Sequence, residues 1–102
     1  MRISTHVLDT AHGRPAVDVR VALRFGGELV AETTTNTDGR ALLTENAGAG
    51  VYELVFSIGE YYGPSTDYLG DVVVQFRVTE AAGTYHVPLL VSPYGYSTYR
   101  GS

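Results

Sequence analysis

The chain has 102 residues, no cysteine and no lysine, and its formal net charge at pH 7 is −4. This composition excludes disulfides, a thiolate nucleophile, a cysteine-based zinc site and Schiff-base chemistry on lysine. The length predicts one domain spanning residues 1–102, and the lack of an arginine-rich run argues against nucleic acid as a partner.

The first half of the chain alternates apolar and polar residues, which is the pattern of half-buried strands. The segment "ISTHVLD" predicts a first strand, and no apolar run near it suits a signal peptide or a membrane span. Residues 17–25, "VDVRVALRF", predict a strand with Val17, Val19, Val21, Leu23 and Phe25 on one face. After a Gly-Gly turn, "ELVAETTTN" predicts another strand. We therefore expect a cytoplasmic protein with no membrane partner.

The Asp-Gly pair in "TDGR" predicts a tight turn, in which the Asp38 carboxylate is expected to accept hydrogen bonds from nearby backbone N–H groups. Three strands are predicted after it, in "GAGVYELVFSI", "DVVVQFRVT" and "TYHVPLLVS". Between the first two of these, residues 59–70 leave room for at most one short helix. Pro88 predicts an edge position or a bulge for its strand, because proline cannot donate to a ladder.

With "ALL" near residue 42 and the final "YSTYRGS", the count is seven to eight strands. Turns recur about every 8–12 residues, and no segment has a convincing helical period. The pattern predicts an all-β fold, a two-sheet antiparallel sandwich, and by itself says nothing about function.

The chain has three histidines, and for two of them the sequence leaves two interpretations open. His6 is a surface or hydrogen-bonded strand residue, or part of a site, since alternation places Ser4, His6 and Leu8 on one face. His86 lies in an apolar run and needs a hydrogen-bonding partner if buried, so it belongs either to an interface or to a site. His12 lies in a Gly/Pro turn, where a solvated loop residue is expected.

His6 and His86 could meet if the first and next-to-last strands are neighbours. A pair of imidazoles, with an ordinary pKa of about 6.5, could hold and deprotonate a water molecule. Zinc is the competing idea, but a catalytic zinc needs about three protein ligands, so we expect no metal. Arg40, just after the Asp-Gly turn, is either a solvated charge or a clamp for an anion or a carbonyl. Arg100 could simply make the tail more soluble.

The two ends of the chain together resemble a known family. "STHVLDTAHGRPA" and the terminal "YRGS" are similar to the paired motifs of the transthyretin-related family of 5-hydroxyisourate hydrolases, and "TNTDGRA" matches its middle motif. The resemblance runs through nearly the whole chain. It implies a transthyretin (prealbumin)-like sandwich assembled as a homotetramer, a dimer of dimers, with active sites at the interface between dimers.

The resemblance also implies which residues form the site. The catalytic residues of the family fall on His6, Arg40, His86 and Ser102. The rest of the C-terminal motif, Tyr99, Arg100 and Gly101, is implied to bind substrate. No cofactor is implied.

The implied reaction is hydrolysis of 5-hydroxyisourate, the product of urate oxidation, to 2-oxo-4-hydroxy-4-carboxy-5-ureidoimidazoline. One imidazole is expected to activate the water that attacks a ring amide, and the other to orient it or to donate to the leaving nitrogen. Which histidine is the base stays open. Arg40 is expected to stabilise developing negative charge.

Two departures from the family pattern concern the surroundings of the site. Many relatives carry a further histidine where this chain has Thr84. The 59–70 segment is shorter and richer in glycine than the usual helix-bearing stretch, so the helix is expected to be reduced or absent.

Two other functions are compatible with such a fold. A transthyretin-like carrier of small molecules would lack the two histidines, the arginine and the "YRGS" ending. A structural module of the kind found in surface adhesins often uses a lysine isopeptide bond, which a chain without lysine cannot make.

Overall fold

The computed structural model describes residues 1–79 and 83–101, which form nine strands, one short α-helix and one 3₁₀ turn. The strands are β1 (Arg2–Asp9), β2 (Arg14–Pro15), β3 (Arg20–Phe25), β4 (Glu28–Thr34), β5 (Arg40–Thr44), β6 (Gly50–Phe56), β7 (Val72–Val78), β8 (Thr84–Ser92) and β9 (Gly95–Thr98). The helix α1 spans Ile58–Tyr62, and the 3₁₀ turn spans Gly63–Ser65. The predicted all-β sandwich is confirmed. The structure has nine strands where seven to eight were predicted, because β2 has only two residues and leaves no recognisable pattern in the sequence.

The strands form two sheets. In one sheet the order is β4-β3-β6-β7. In the other, β1 pairs with β8 and β8 with β9, while β2 and β5 both pair with β1. The first and next-to-last strands are therefore neighbours, which is the condition under which His6 and His86 could meet.

One pairing corrects the expectation of a purely antiparallel sandwich. β1 and β8 run parallel in an unbroken register from Arg2↔Thr84 to Asp9↔Val91, and the other strand pairs are antiparallel. Alternation in a single strand records which face is buried and carries no information on the direction of the neighbouring strand. The sequence could therefore predict the strands without predicting this pairing.

The core lies between the sheets and is built from one side of each strand. On β1, Ile3, Thr5 and Val7 are fully buried, whereas Ser4 and His6 on the other side are half-buried. Core side chains from the opposite sheet are also fully buried, and they include Val21, Leu23, Leu54 and Phe56. The predicted division of β1 into a core face and an outer face is confirmed.

The strand predicted over 17–25 is shorter than expected. β3 begins at Arg20, because Asp18 has a positive φ of 62° that interrupts extended structure. Val19, Val21 and Leu23 are buried as predicted, but Val17 and Phe25 are 37% and 44% exposed.

Pro88 does not lie in an edge strand. β8 has β1 on one side and β9 on the other. Pairing with β9 begins at Leu89↔Thr98 and resumes only at the isolated bridge His86↔Gly101. The hydroxyl of Thr98 donates to the carbonyl of Pro88 at 2.6 Å. Pro88, which has no N–H to donate, thus lies where the pairing of β8 with the C-terminal part of the chain is interrupted.

The sequence predicts a reduced or absent helix in residues 59–70, and the structure has a reduced one, the five-residue α1. A buried carboxylate fixes α1 to the end of β1. Asp9 is only 1% exposed and accepts hydrogen bonds from the hydroxyls of Tyr61 and Tyr62, both at 2.8 Å. His12 Nδ1 lies 2.7 Å from the same carboxylate, so His12 is part of this junction and not merely a solvated loop residue.

Candidate functional site

A groove lies on the outer face of the sheet containing β1. Its volume is about 630 Å³. It is lined by Arg2, Ser4, Thr5, Thr33, Thr34, Asn36, Arg40, Ala41, Leu42, Thr84 and His86. Two of the predicted catalytic residues, Arg40 and His86, therefore face one groove.

Strand β1 brings the predicted site residues together because it lies between β5 and β8. His6 pairs with Arg40 of β5 on one side and with Pro88 of β8 on the other. One step back on the same face, Ser4 pairs with Leu42 and with His86. Strand spacing and rise place the Cα atoms of His6 and Arg40 about 5 Å apart and those of His6 and His86 about 8 Å apart. His6 is thus the next outward-facing residue along β1 from the groove-lining Ser4.

A tight turn before β5 sets the position of Arg40. Asn36 begins the turn, and its side-chain oxygen accepts from the backbone N–H groups of Asp38 and Arg40 at 2.9 and 3.0 Å. The predicted turn is confirmed, but the side chain that stabilises it is Asn36 and not Asp38. Gly39 has a φ of 75°, and its carbonyl accepts from Val7 of β1 at 2.7 Å.

Glycine is required at position 39 for a second reason, the close approach of β1. A Cβ there would lie 2.5 Å from the carbonyl oxygen of Val7 and 2.9 Å from Cβ of Pro15. The turn is therefore pressed against β1, and this contact places Arg40 opposite His6.

Two neighbours hold the ring of His86. Its Nδ1 lies 2.9 Å from Oγ of Ser4. On the tail side, a Cβ at Gly101 would lie only 2.7 Å from Cδ2 of His86, so only glycine fits there without a shift. The backbone N–H of Gly101 also donates to the carbonyl of His86 at 2.7 Å. The ring is thus fixed on its Nδ1 side and its Cδ2 edge.

The surroundings of His86 disfavour its charged form. Burial lowers the pKa of His86 below its usual value of 6.5, and the positive charge of Arg40 and the nearby His6 lower it further. The imidazole is therefore neutral at neutral pH and able to accept a proton.

The predicted tail residues divide between two locations. Gly101 packs on His86, whereas Tyr99 and Arg100 line a second cavity of about 370 Å³ with residues of β7 and β8. The guanidinium carbon of Arg100 lies 3.9 Å above the ring of Tyr85, a cation–π contact. Arg100 also donates to the carbonyl of Thr84 at 3.4 Å. Substrate contact by Tyr99 and Arg100 stays a prediction, and Ser102 lies outside the described residues.

The described residues offer no preformed metal centre. Within residues 1–79 and 83–101, no group of three or more His, Cys, Asp or Glu side chains is arranged to hold a metal ion. The groove instead carries hydroxyl, amide, imidazole and guanidinium groups, with neither Asp nor Glu in its lining. Such a lining suits a substrate with carbonyl oxygens or negative charge.

Sequence reasoning did not assign a role to Ser4. The alternation in β1 already placed Ser4 on the same face as His6, which is the outer face of the strand. It could not identify His86 as the partner, because the two residues are 82 positions apart in the chain.

Comparisons with known proteins show the family to which the chain is similar. The family described as "HIUase/Transthyretin family" matches residues 3–101. A 5-hydroxyisourate hydrolase of Pseudomonas aeruginosa is 48% identical over 99% of this chain and 91% of its own length.

Two solved structures are similar over nearly the whole chain. The 5-hydroxyisourate hydrolase of Klebsiella pneumoniae superposes with a TM-score of 0.92 at 34% identity, covering 100% of both chains. Sea bream transthyretin in complex with thyroxine has a TM-score of 0.86 at 27% identity, covering 97% of this chain and 93% of that chain. The fold is thus similar to that of an enzyme and to that of a protein that binds thyroxine, so the fold alone does not decide the function.

Proposed function

The chain belongs to the HIUase/Transthyretin family, and we propose that it hydrolyses 5-hydroxyisourate to 2-oxo-4-hydroxy-4-carboxy-5-ureidoimidazoline in urate degradation. The observation that carries the proposal is the placement of Arg40, His6 and His86 on the outer face of three adjacent strands, in a chain similar to hydrolases of that name over its full length.

His86 is the general base in this proposal. A base must be unprotonated at the working pH, and burial with the charge of Arg40 lowers the pKa of His86. Its imidazole accepts a proton from a water molecule in the groove, and the water oxygen attacks a carbonyl carbon of the substrate ring. Proton transfer of this kind contributes about 10²–10⁴-fold to the rate.

Arg40 and His6 act on the substrate in the same step. Negative charge develops on the carbonyl oxygen as the water adds, and the guanidinium of Arg40 stabilises it. When the bond between the carbonyl carbon and the ring nitrogen breaks, that nitrogen must gain a proton. His6, opposite Arg40 in the register, orients the substrate and supplies this proton. No step needs a metal ion or an organic cofactor.

A direct assay tests the activity. Urate oxidase generates 5-hydroxyisourate, and its absorbance decay is followed with and without the protein. We expect faster decay with the protein, and losses of at least about 10²-fold for His6→Ala, Arg40→Ala and His86→Ala. Arg24→Ala, an exposed arginine in the other sheet, is the control and retains the parent rate.

Decay at the spontaneous rate with the parent protein would reject the hydrolase and favour a carrier of small molecules. Parent activity in the triple variant would reject the assignment of the site. Activity that survives chelation of metal ions is expected, and strict metal dependence would contradict the mechanism.

We also propose that the protein assembles as a homotetramer, a dimer of dimers, with the groove at the interface between dimers. Two observations support this. The groove is open in a single chain, and its lining residue Leu42 is 42% exposed. In the described part of the chain, β7 and β9 each pair with one strand only, so each presents an edge to which another copy could pair.

Light scattering coupled to size exclusion would measure the mass of the assembly. The expected mass is four times the 11.0 kDa of one chain. Full activity in a stable monomer would contradict an interfacial site.

The sequence also predicts that the protein is cytoplasmic and has no membrane partner. None of the helices that the structure describes is long and apolar enough to cross a bilayer. The cytoplasmic location expected from the sequence stays a prediction, which cell fractionation would test.

A further inference from the structure

Ser4 lies beside His86, the residue proposed above as the general base. It precedes His6 by two residues on the outer face of β1 and pairs in register with His86 of β8. Its hydroxyl oxygen lies 2.9 Å from Nδ1 of His86, and the contact is partly buried. Both residues line the groove.

The contact with Ser4 occupies one of the two ring nitrogens of His86. Nδ1 is engaged by Ser4, and the Cδ2 edge of the ring is packed against Gly101. Nε2 is therefore the nitrogen assigned to chemistry in the groove.

We propose that Ser4 is a positioning residue that accepts a hydrogen bond from Nδ1–H of His86 and thereby holds the tautomer in which Nε2 is unprotonated. This inference rests on the proposed hydrolase function, because a base at Nε2 is what that function requires. A neutral imidazole carries one ring proton, so fixing it on Nδ1 leaves the lone pair on Nε2.

The other groups near His86 do not perform this task. Two described residues on neighbouring strands, His6 on β1 and Arg40 on β5, act on the ionisation of His86. Their influence on His86 is electrostatic, and it disfavours the imidazolium without distinguishing the two neutral tautomers. Gly101 contacts ring carbon and the backbone of His86. Among the described residues, Ser4 is thus the side chain that is hydrogen-bonded to a ring nitrogen of His86, and it is the one we assign to holding the tautomer.

Two variants of nearly equal shape test the hydroxyl. Ser4→Thr keeps the hydroxyl, and Ser4→Val replaces it with a methyl group in a strand that accepts β-branched residues. We expect Ser4→Val to lower kcat about tenfold, the scale of one lost hydrogen bond, with KM changed by less than about twofold. Ser4→Thr retains most of the parent kcat. Equal kcat values in the two variants would overturn the proposal.

A spectroscopic measurement separates positioning from a merely structural effect. Long-range ¹H–¹⁵N spectra report the tautomer of each of the three histidines, and single His6→Gln and His12→Gln variants assign the signals. Above pH 6.5, the usual imidazole value, His86 should carry its proton on Nδ1 in the parent protein and in Ser4→Thr. Ser4→Val should gain a population protonated on Nε2.

The outcomes are distinguishable from failure of the function itself. A parent His86 protonated on Nε2, or a tautomer unchanged in Ser4→Val, would overturn the role of Ser4 whatever the reaction. The expected tautomers in a protein that does not accelerate decay of 5-hydroxyisourate would reject the hydrolase and leave the role of Ser4 supported.

Discussion

At the residue scale, His86 shows how a common side chain is adapted to one task. Ser4 engages one ring nitrogen, Gly101 packs against a carbon edge, and Arg40 contributes a positive charge nearby. Burial is the largest cause of the lowered pKa of His86. The imidazole of His86 is therefore neutral at neutral pH mainly because it is buried, and the adjacent charge of Arg40 reinforces that state.

The pH dependence of activity follows from the direction of that shift. Because the pKa of His86 is lowered, kcat/KM should persist as pH falls through 6.5 and should decline only at lower pH. Arg40→Gln removes a positive charge and should move this acid limb towards higher pH while lowering the plateau. Arg24→Gln, in the other sheet, should leave the limb in place. An acid limb above 6.5 in the parent protein would contradict the base assignment.

Asp9 is a second residue whose ionisation matters, and its function is structural. Burial raises its pKa, but hydrogen bonds from His12, Tyr62, Tyr61 and the backbone outweigh burial and keep the pKa below 3.8. The pKa of Tyr62 is raised in turn, by burial and by the neighbouring carboxylate of Asp9. The carboxylate therefore stays charged and joins β1 to α1.

Replacing the charge of Asp9 should cost stability in a pH-dependent way. Asp9→Asn should lower the unfolding free energy at neutral pH by about 2 kcal/mol, since hydrogen bonds to charged groups contribute about 1.5–3 kcal/mol. The folded pKa is lowered, so this contribution is complete above pH 3.8 and fades as pH falls below it. Urea unfolding at several pH values measures the difference, with Asp38→Asn in the exposed turn as control. A pH-independent difference would contradict the role of the charge.

At the element scale, the turn between β4 and β5 determines where Arg40 lies. The β5 strand has five residues, and its first residue pairs with the middle of β1. Gly39 lets the turn touch β1 at the carbonyl of Val7. A short strand is thus aligned by the turn that precedes it, which also places the backbone of Arg40 opposite His6.

Glycine variants can separate the backbone conformation from this contact. Gly39 and Gly13 have similar positive φ values, 75° and 68°, but a Cβ at Gly13 would meet nothing within 4 Å. Gly13→Ala should cost about 1–2 kcal/mol for the left-handed conformation alone. Gly39→Ala should cost clearly more and should lower kcat/KM, because the turn must move away from β1. Similar losses of stability in urea unfolding would show that the contact is unimportant.

At the scale of the whole molecule, both sheets depend on one core. The buried cluster includes Ile3 and Val7 from the sheet with the groove and Leu54 and Phe56 from the other. The outer face can carry polar site residues because the inner face supplies the packing. A single domain spanning residues 1–102 stays a prediction, and cooperative unfolding is its expected consequence.

A core substitution should therefore affect both sheets together. Leu54→Ala, at a fully buried position, should lower the unfolding free energy by about 2–5 kcal/mol. Far-UV circular dichroism and tyrosine fluorescence should shift together, since tyrosines lie in both sheets. Leu29→Ala, at a position 58% exposed, should change little. Separate transitions for the two probes would indicate that the sheets unfold independently.

The sequence by itself determined the strands, the burial of their faces and the turn before Arg40. Period-two alternation records burial within one strand, and glycine with asparagine or aspartate records a turn, so these features are local. The segments "STHVLD", "TDGR" and "YRGS" also identified the family and its expected site residues. The comparisons confirmed the family and the similarity to 5-hydroxyisourate hydrolases. The roles of four residues stay predictions, those of His6, Arg40, His86 and Ser102.

Only the tertiary structure decided which residues meet. The parallel pairing of β1 with β8, the internal position of Pro88 and the contacts of Ser4 and Gly101 with His86 all depend on strands far apart in the sequence. The tail also divides there, with Gly101 on His86 and Arg100 on Tyr85. A local pattern cannot encode such pairs, because the register between strands is set by packing of the whole core.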